Sequence, residues 1–395
     1  MQETPLHESF QARKALVVAG EDSGDLHGSN LIKACREIDG NLSFYGVGGQ
    51  RMAAAGCEIL FPNAEMAVVG AIEVFSRLPV IWRAFKLLKN LLCGDAPPDV
   101  LILIDFPEFN LRLAAIAKRQ GIPVLYYISP QVWAWRRYRV HRIARVVDRL
   151  AAILPFEKDF YGAYGIDVEY VGHPLLDDFH HDLSREAFLQ KYHLKDGMPV
   201  IGLFPGSRRN ELRYLLDNIL DAACILLKKR PEAQFVLPVA PSLSEESLRK
   251  AIAARHMEER IRVLRDNIYD VARACDVVAC VSGTVTLQVA LAGTPMTILY
   301  RLSRLTYWLG RMLVKVPWIG LVNIVAGREV ARELIQDDAS PEGIAKEVLL
   351  LLEDAEYRQR VQDGLQLVRE KLGSGGCSQR VARMASELSR RKAHG

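Results

Sequence analysis

Short apolar runs alternate with helical-period segments along most of the chain. Ala15–Ala19, Leu42–Val47, Val100–Ile104, Val124–Ile128, Leu150–Leu154 and Glu169–Val171 are apolar without strict alternation, the pattern of strands covered on both faces of a parallel sheet. Helices are expected between them, at Leu26–Ile38, Leu111–Gln120 and Val140–Asp148. The rhythm breaks at His173-Pro174 and the acidic, histidine-bearing stretch Asp177–Asp182, then restarts with Val200–Phe204, Gln234–Pro238, Arg262–Leu264, Val277–Val281 and Met296–Leu299. Two successive series predict an α/β chain of two doubly wound domains, because right-handed crossovers force the helices outside the sheets. The expected spans are 1–175 and 176–340, followed by a tail, 341–395, that reads as helix only. Facing each other, two such domains make a cleft, and ligands gather at the carboxyl ends of the strands.

The 24 residues from Val277 to Tyr300 carry no charge, enough to cross a bilayer. Ser282, Gly283, Thr284, Gln288, Gly293 and Pro295 interrupt them, so the stretch reads as strand, turn, helix and strand inside a domain.

Composition narrows the class. With half of its 395 residues hydrophobic and a quarter charged, the chain is neither disordered nor a small disulfide scaffold. Its 51 basic and 47 acidic side chains leave +4, too little for a nucleic-acid coat, so positive surface must be local. The arginines at 136, 137, 139, 142, 145 and 149 accompany no RNA-binding motif, and no nucleic-acid partner is expected. Seven scattered cysteines without a C-x-x-C pair fit a reducing compartment. Met1–Arg13 lacks an apolar export segment, so a cytosolic location is expected.

Candidate chemistry lies just after strands. Gly20-Glu21-Asp22-Ser23-Gly24-Asp25 is a turn into a helix, where Ser23 or Asp25 can cap and the helix start attracts an anion or a sugar hydroxyl. Asp105 ends a buried run and suits a general base, or else Asp105 or Asn110 only caps the next helix. Pro205-Gly206-Ser207-Arg208 offers backbone amides and an arginine fork to a diphosphate, without the G-K-[ST] ending of a P-loop. Ser282-Gly283-Thr284 makes a second cradle or a simple cap, and Gln288, one turn on, can reach ribose hydroxyls.

Two segments are basic, aromatic and free of acids: Val74–Leu92 with four basic residues and Arg301–Arg328 with five. Such a surface fits a bilayer interface, and a core helix with solvated basic edges is the alternative. The expected membrane-facing residues are Arg77, Trp82, Arg83, Phe85, Lys86, Lys89, Trp308 and Arg311.

The motifs AGEDSGDLHG (19–28), IDFPEFN (104–110), ISPQVWAWR (128–136), YVGHPLLD (170–177), LFPGSR (203–208), SGTVTLQ (282–288) and NIVAGRE (323–329) together closely resemble bacterial lipid-A-disaccharide synthase, in order from about residue 14 to 340. That family belongs to the GT-B glycosyltransferases, in glycosyltransferase family 19. The resemblance implies a GT-B architecture and an inverting transfer that joins UDP-2,3-diacylglucosamine to 2,3-diacylglucosamine 1-phosphate (lipid X), forming a β-1,6 disaccharide 1-phosphate and UDP. It matches Asp105 to the catalytic aspartate and Arg208, with Gly206 and Ser207, to the diphosphate position. Ser282, Gly283, Thr284, Thr286 and Leu287 match the nucleotide-binding turn, and Asn323 a functionally important asparagine. Metal-free, cofactor-free catalysis is usual for GT-B enzymes, and no D-x-D motif is present. The substrates' acyl chains imply docking on anionic lipids at the cytoplasmic face of the inner membrane. Members can exchange carboxy-terminal helices in a homodimer, which the helical tail permits.

Two positions depart from the family pattern. Gln288 stands where glutamate commonly grips ribose, and Arg332-Glu333 replaces a proline-glutamate pair, which leaves Glu333 a weaker candidate. Two other readings compete: a soluble GT-B enzyme on UDP-N-acetylglucosamine, such as an epimerase, and a catalytically silent nucleotide-sugar or lipid-binding protein.

Overall fold

The structure, a computed structural model, describes residues 12–66, 71–240, 243–314 and 316–393, with the backbone alone at 71–77, 209, 309, 313 and 392–393. The amino-terminal residues behind the cytosolic expectation, up to 11, and the side chain of Arg77 lie outside the described residues.

Thirteen strands are described: β1 Arg13–Ala19, β2 Leu42–Gly48, β3 Cys57–Pro62, β4 Val100–Ile104, β5 Val124–Tyr127, β6 Arg149–Ala152, β7 Val168–Tyr170, β8 Val200–Phe204, β9 Gln234–Pro238, β10 Ile261–Leu264, β11 Val277–Val281, β12 Met296–Tyr300 and β13 Glu333–Ile335. They form two parallel sheets, ordered β3-β2-β1-β4-β5-β6-β7 and β10-β9-β8-β11-β12-β13. β4, β8 and β11 are buried at every residue, as their unbroken apolar runs require. β3 and β13, absent from the expected series, are edge strands. CEILFP is only partly covered and ELI is three residues long, so neither produces a buried apolar run.

The chain divides into two compact units, 1–177 with 374–395 and 178–373. The helical tail is therefore shared. Helices Pro341–Glu353 and Ala355–Lys371 belong to the second unit, while Cys377–Ala393 returns to the first. There Val381, Ala382, Met384, Ala385 and Leu388 join the core formed by Ala15, Val17, Leu31 and Ile32. Asp177 fastens that helix's start, accepting from the amides of Gly376 (2.6 Å), Cys377 (3.1 Å) and Ser378 (2.9 Å). Near its end Arg13 donates to Ser389 Oγ (2.6 Å) and pairs with Asp39.

The uncharged stretch after Asp276 folds as β11, the helix Val285–Ala292 and β12. Among the described residues no helix is long and apolar enough to cross a membrane.

Candidate functional site

In the first unit the connections reverse direction between β1 and β4, and the loops after these two strands carry the first candidates. Asp105 and Phe106 both have left-handed backbones, φ 46° and 47°. For non-glycine residues that strain costs about 1–3 kcal/mol each. Side chains hold it in place. The Asp105 carbonyl accepts from Asn110 Nδ2 (2.7 Å) and the Tyr126 hydroxyl (2.7 Å). Gly20 makes room, since a Cβ there would lie 2.6 Å from the Phe106 ring. The helix Pro107–Arg119 starts without a side-chain cap, so neither Asp105 nor Asn110 spends its side chain on capping. Burial, with the Glu21 carboxylate nearby, pushes the Asp105 carboxyl up to about 6, against the pull of the Phe106 amide.

The first-turn candidates Ser23, Gly24 and Asp25, expected at the acceptor or in the cleft, are not a free polar cluster. Asp25 is buried, and its carboxylate takes the amides of Gly49 (2.7 Å), Arg51 (3.1 Å) and Met52 (3.1 Å), capping the short helix Gln50–Ala54 instead of its own. Gly24 packs on Ala19. Ser23 alone is exposed, and the helix caps at Glu21 without a side-chain bond. The long ISPQVWAWR motif has an internal explanation as well: Glu157, 1% exposed, accepts from Ser129 Oγ and Trp133 Nε1 (3.0 Å each) and from the amides of Ile153 and Leu154. His27 and His173, not singled out by sequence, are held neutral by burial, which pulls them down to about 4 and about 3.

In the second unit the reversal falls between β8 and β11, and a cavity of about 430 Å³ opens there. Its walls are the carboxyl ends of four strands and the residues after them: Phe204–Arg208 and Glu211 at β8, Pro238–Ala240 at β9, Asp266 and Ile268 after β10, and Val281–Val285 with Gln288 at β11. This brings Gly206, Ser207, Arg208, Ser282, Gly283, Thr284 and Gln288 together. Gly206 turns at φ +95°, and a Cβ there would meet Glu211 Oε2 at 2.2 Å. That same carboxylate oxygen accepts from the amides of Ser207 (3.0 Å) and Arg208 (3.1 Å). The Arg208 guanidinium stands largely exposed, 3.5 Å from Glu211 Oε1. On the other wall, Thr284 precedes the helix Val285–Ala292 without a side-chain cap; the Thr286 and Leu287 amides bond back to the Gly283 and Thr284 carbonyls, and Gly283, Thr284 and Val285 line the cavity. Gln288 is hydrogen-bonded by Tyr269.

Three nucleotide candidates lie elsewhere. Thr286 is buried and donates back to Gly283 O (2.8 Å), and Leu287 is buried in the core. Asn323, 0% exposed, has its amide fully committed. Its Oδ1 accepts from Val330 N (2.8 Å) and Ala331 N (3.0 Å), while Nδ2 donates to Ala331 O (2.8 Å) and Glu333 Oε1 (2.9 Å). Glu333 in turn holds the amides of Ile319 and Gly320, and the Ile319 carbonyl receives the Ser282 hydroxyl (3.2 Å). Asn323 and Glu333 thus brace the turn behind Ser282. The Asn323 amide is spent on these bonds within the unit. Among the described residues no group of three or more His, Cys, Asp or Glu side chains is placed to hold a metal.

A family model described as lipid-A-disaccharide synthetase matches residues 15–386. The chain belongs to that family. Lipid-A-disaccharide synthase of Syntrophotalea carbinolica is 55% identical over 385 residues, 98% of each chain. The enzyme of that name from Geobacter metallireducens is 50% identical, over 96% of this chain and 98% of its own. Membership makes the chain a glycosyltransferase of lipid A synthesis acting on lipid-linked sugars. Solved structures agree on the GT-B fold. The UDP-GlcNAc 2-epimerase of Neisseria meningitidis, bound to UDP-GlcNAc, aligns with a TM-score of 0.63 at 15% identity, covering 95% of this chain and all of that one. The calicheamicin glycosyltransferase CalG4 gives 0.60 at 15%, covering 96% and 98%.

The two basic segments form helices with exposed apolar residues. In the helix Ala71–Cys93, Leu78 and Trp82 are exposed beside Arg83, Lys86 and Lys89. Phe85 is the exception: it turns inward, edge-on to Phe109 at 5.6 Å, and packs against the core. In the helix Arg304–Leu313, Leu305, Trp308 and Met312 are all more than 60% exposed and repeat at helical spacing, flanked by Arg304 and Arg311.

Proposed function

We propose that the chain transfers the sugar of UDP-2,3-diacylglucosamine to the 6-hydroxyl of 2,3-diacylglucosamine 1-phosphate with inversion, forming the β-1,6 disaccharide and UDP. The observation that carries this reading is Asp105: a carboxyl at a strand end, raised to about 6, with its backbone pinned by Asn110 and Tyr126. Near neutral pH it is ionised yet basic enough to take the acceptor hydroxyl's proton as the oxygen attacks the anomeric carbon. On the donor side, the cavity of the second unit takes UDP. Gln288, oriented by Tyr269, faces the ribose hydroxyls. The turn Gly283–Val285 at the start of the helix Val285–Ala292 and the Arg208 guanidinium take up the charge that grows on the departing diphosphate.

Both substrates carry acyl chains, and this reading gives the exposed apolar residues of Ala71–Cys93 and Arg304–Leu313 their purpose. They seat the enzyme on anionic lipid at the cytoplasmic face of the inner membrane, with the flanking arginines and lysines near the headgroups. The test is direct. Purified protein with the two diacylated glucosamine substrates in detergent should release UDP and one β-linked disaccharide 1-phosphate. An α-linked product, or UDP release without disaccharide, would remove the reading.

A further inference from the structure

The turn after β8 already contains an anion. Glu211 Oε2 takes both the Ser207 and the Arg208 amide, at 3.0 and 3.1 Å, and fills the hollow that Gly206 leaves by having no Cβ. Its second oxygen lies 3.5 Å from Arg208 Nη1. Each amide has one hydrogen, so a phosphate oxygen can use these donors only if Oε2 leaves them. Glu211 lines the same cavity as Gly283, Thr284 and Val285 at the start of the helix Val285–Ala292. A diphosphate held there would also face the like charge of the carboxylate.

We infer that Glu211 is a built-in competitor for the diphosphate: it satisfies the turn while the site is empty, yields its amides and its arginine to the donor, and returns as UDP departs. This rests on the proposed binding of UDP in that cavity. The two ligands of the turn, carboxylate and phosphate, are mutually exclusive, so nucleotide affinity is set below what the cradle alone supports. A glycosyltransferase gains from that arrangement, because UDP, the product, carries the same diphosphate as the donor and must leave before the next turnover.

The test compares UDP and uridine binding by calorimetry in the full-length protein and in Glu211→Gln, which keeps the shape but loses the charge. The expected result is UDP bound about tenfold more tightly by the variant, the scale of relieving one adjacent like charge, with uridine affinity unchanged because uridine has no phosphate. Glu211→Ala serves as the second variant, and circular dichroism checks that each retains its helix content. Equal or weaker UDP binding in folded Glu211→Gln would overturn the inference and leave Glu211 a brace for the turn. If UDP binds neither protein, the nucleotide assignment itself falls, a result distinct from the first.

Discussion

Asp105 shows how a residue's chemistry is set by groups that sequence spacing does not relate to it. Its place after an unbroken apolar run is legible, since LILID reads as a strand delivering a carboxylate to a sheet's carboxyl edge. Its left-handed backbone is not, because the donors that pin the carbonyl come from Asn110, a turn into the next helix, and Tyr126, on the adjacent strand. Asp25 and Asn323 teach the reverse: their motifs are recognisable, yet folding commits Asp25 to backbone amides and Asn323 to backbone groups and the Glu333 carboxylate, so a recognisable position need not be a ligand-binding one. Asp105→Ala should lower kcat by about a hundredfold or more, the usual scale for a lost general base, with UDP affinity nearly intact. The acid limb gives the sharper check. The base works ionised, so kcat/KM should rise with pH up to about 6 and level off above it. Removing the neighbouring charge with Glu21→Gln should shift that limb to lower pH. A limb unmoved in Glu21→Gln and unaltered in shape by Asp105→Ala residual activity would assign the titration to another group.

At the scale of elements, periodicity announced most strands and helices but not which face of a helix would be covered. The segment from Val74 to Leu92 reads as amphipathic, and its aromatic residues look alike in sequence. The fold separates them, with Trp82 left exposed and Phe85 drawn against Phe109, because only the packing partner decides which side is core. Edge strands escaped for a related reason: β3 and β13 are too exposed or too short to make an apolar run. The helix Arg304–Leu313 gives a clean test, since Leu305, Trp308 and Met312 contribute little to any core of the second unit. Replacing all three by serine should weaken binding to anionic phospholipid vesicles by about tenfold or more, while the thermal midpoint changes by no more than a few degrees. In the first unit, serine at Arg83, Lys86 and Lys89 should weaken the same binding and flatten its salt dependence. Vesicle sedimentation at two ionic strengths reads both. Wild-type partitioning in the first variant would return that helix to an ordinary surface role.

The whole chain is laid out so that its last helix completes its first unit. Residues 1–177 contain a full seven-stranded sheet, yet the core over β1, β4 and β5 also needs Cys377–Ala393, which arrives only after the second unit has been made. A helical tail was legible in the sequence, but its destination was not, because the contacts that fix it are the three amides given to Asp177 and the Arg13–Asp39 pair, each separated from the tail by hundreds of residues. Deleting residues 374–395 should therefore damage one unit selectively. Leu31, Ile32 and their neighbours lose their cover, and the buried Asp39 loses the Ser386 hydroxyl. The truncated chain should bind UDP as before, because the cavity lies wholly within 178–373, but lose the unfolding transition of the first unit and become protease-sensitive there. Supplying 374–395 as a separate peptide should restore both, and Asp177→Ala should reproduce the defect in part, at about 2 kcal/mol for a half-buried cap of several amides. A truncated chain as protease-resistant as the full one would show that the sheet stands without its returning helix. Recovery in trans would also supply the physical basis for exchange of this helix between two chains, since a helix docked by side-chain contacts and one carboxylate cap makes the same contacts from either backbone, at a concentration-dependent cost when it comes from a second chain.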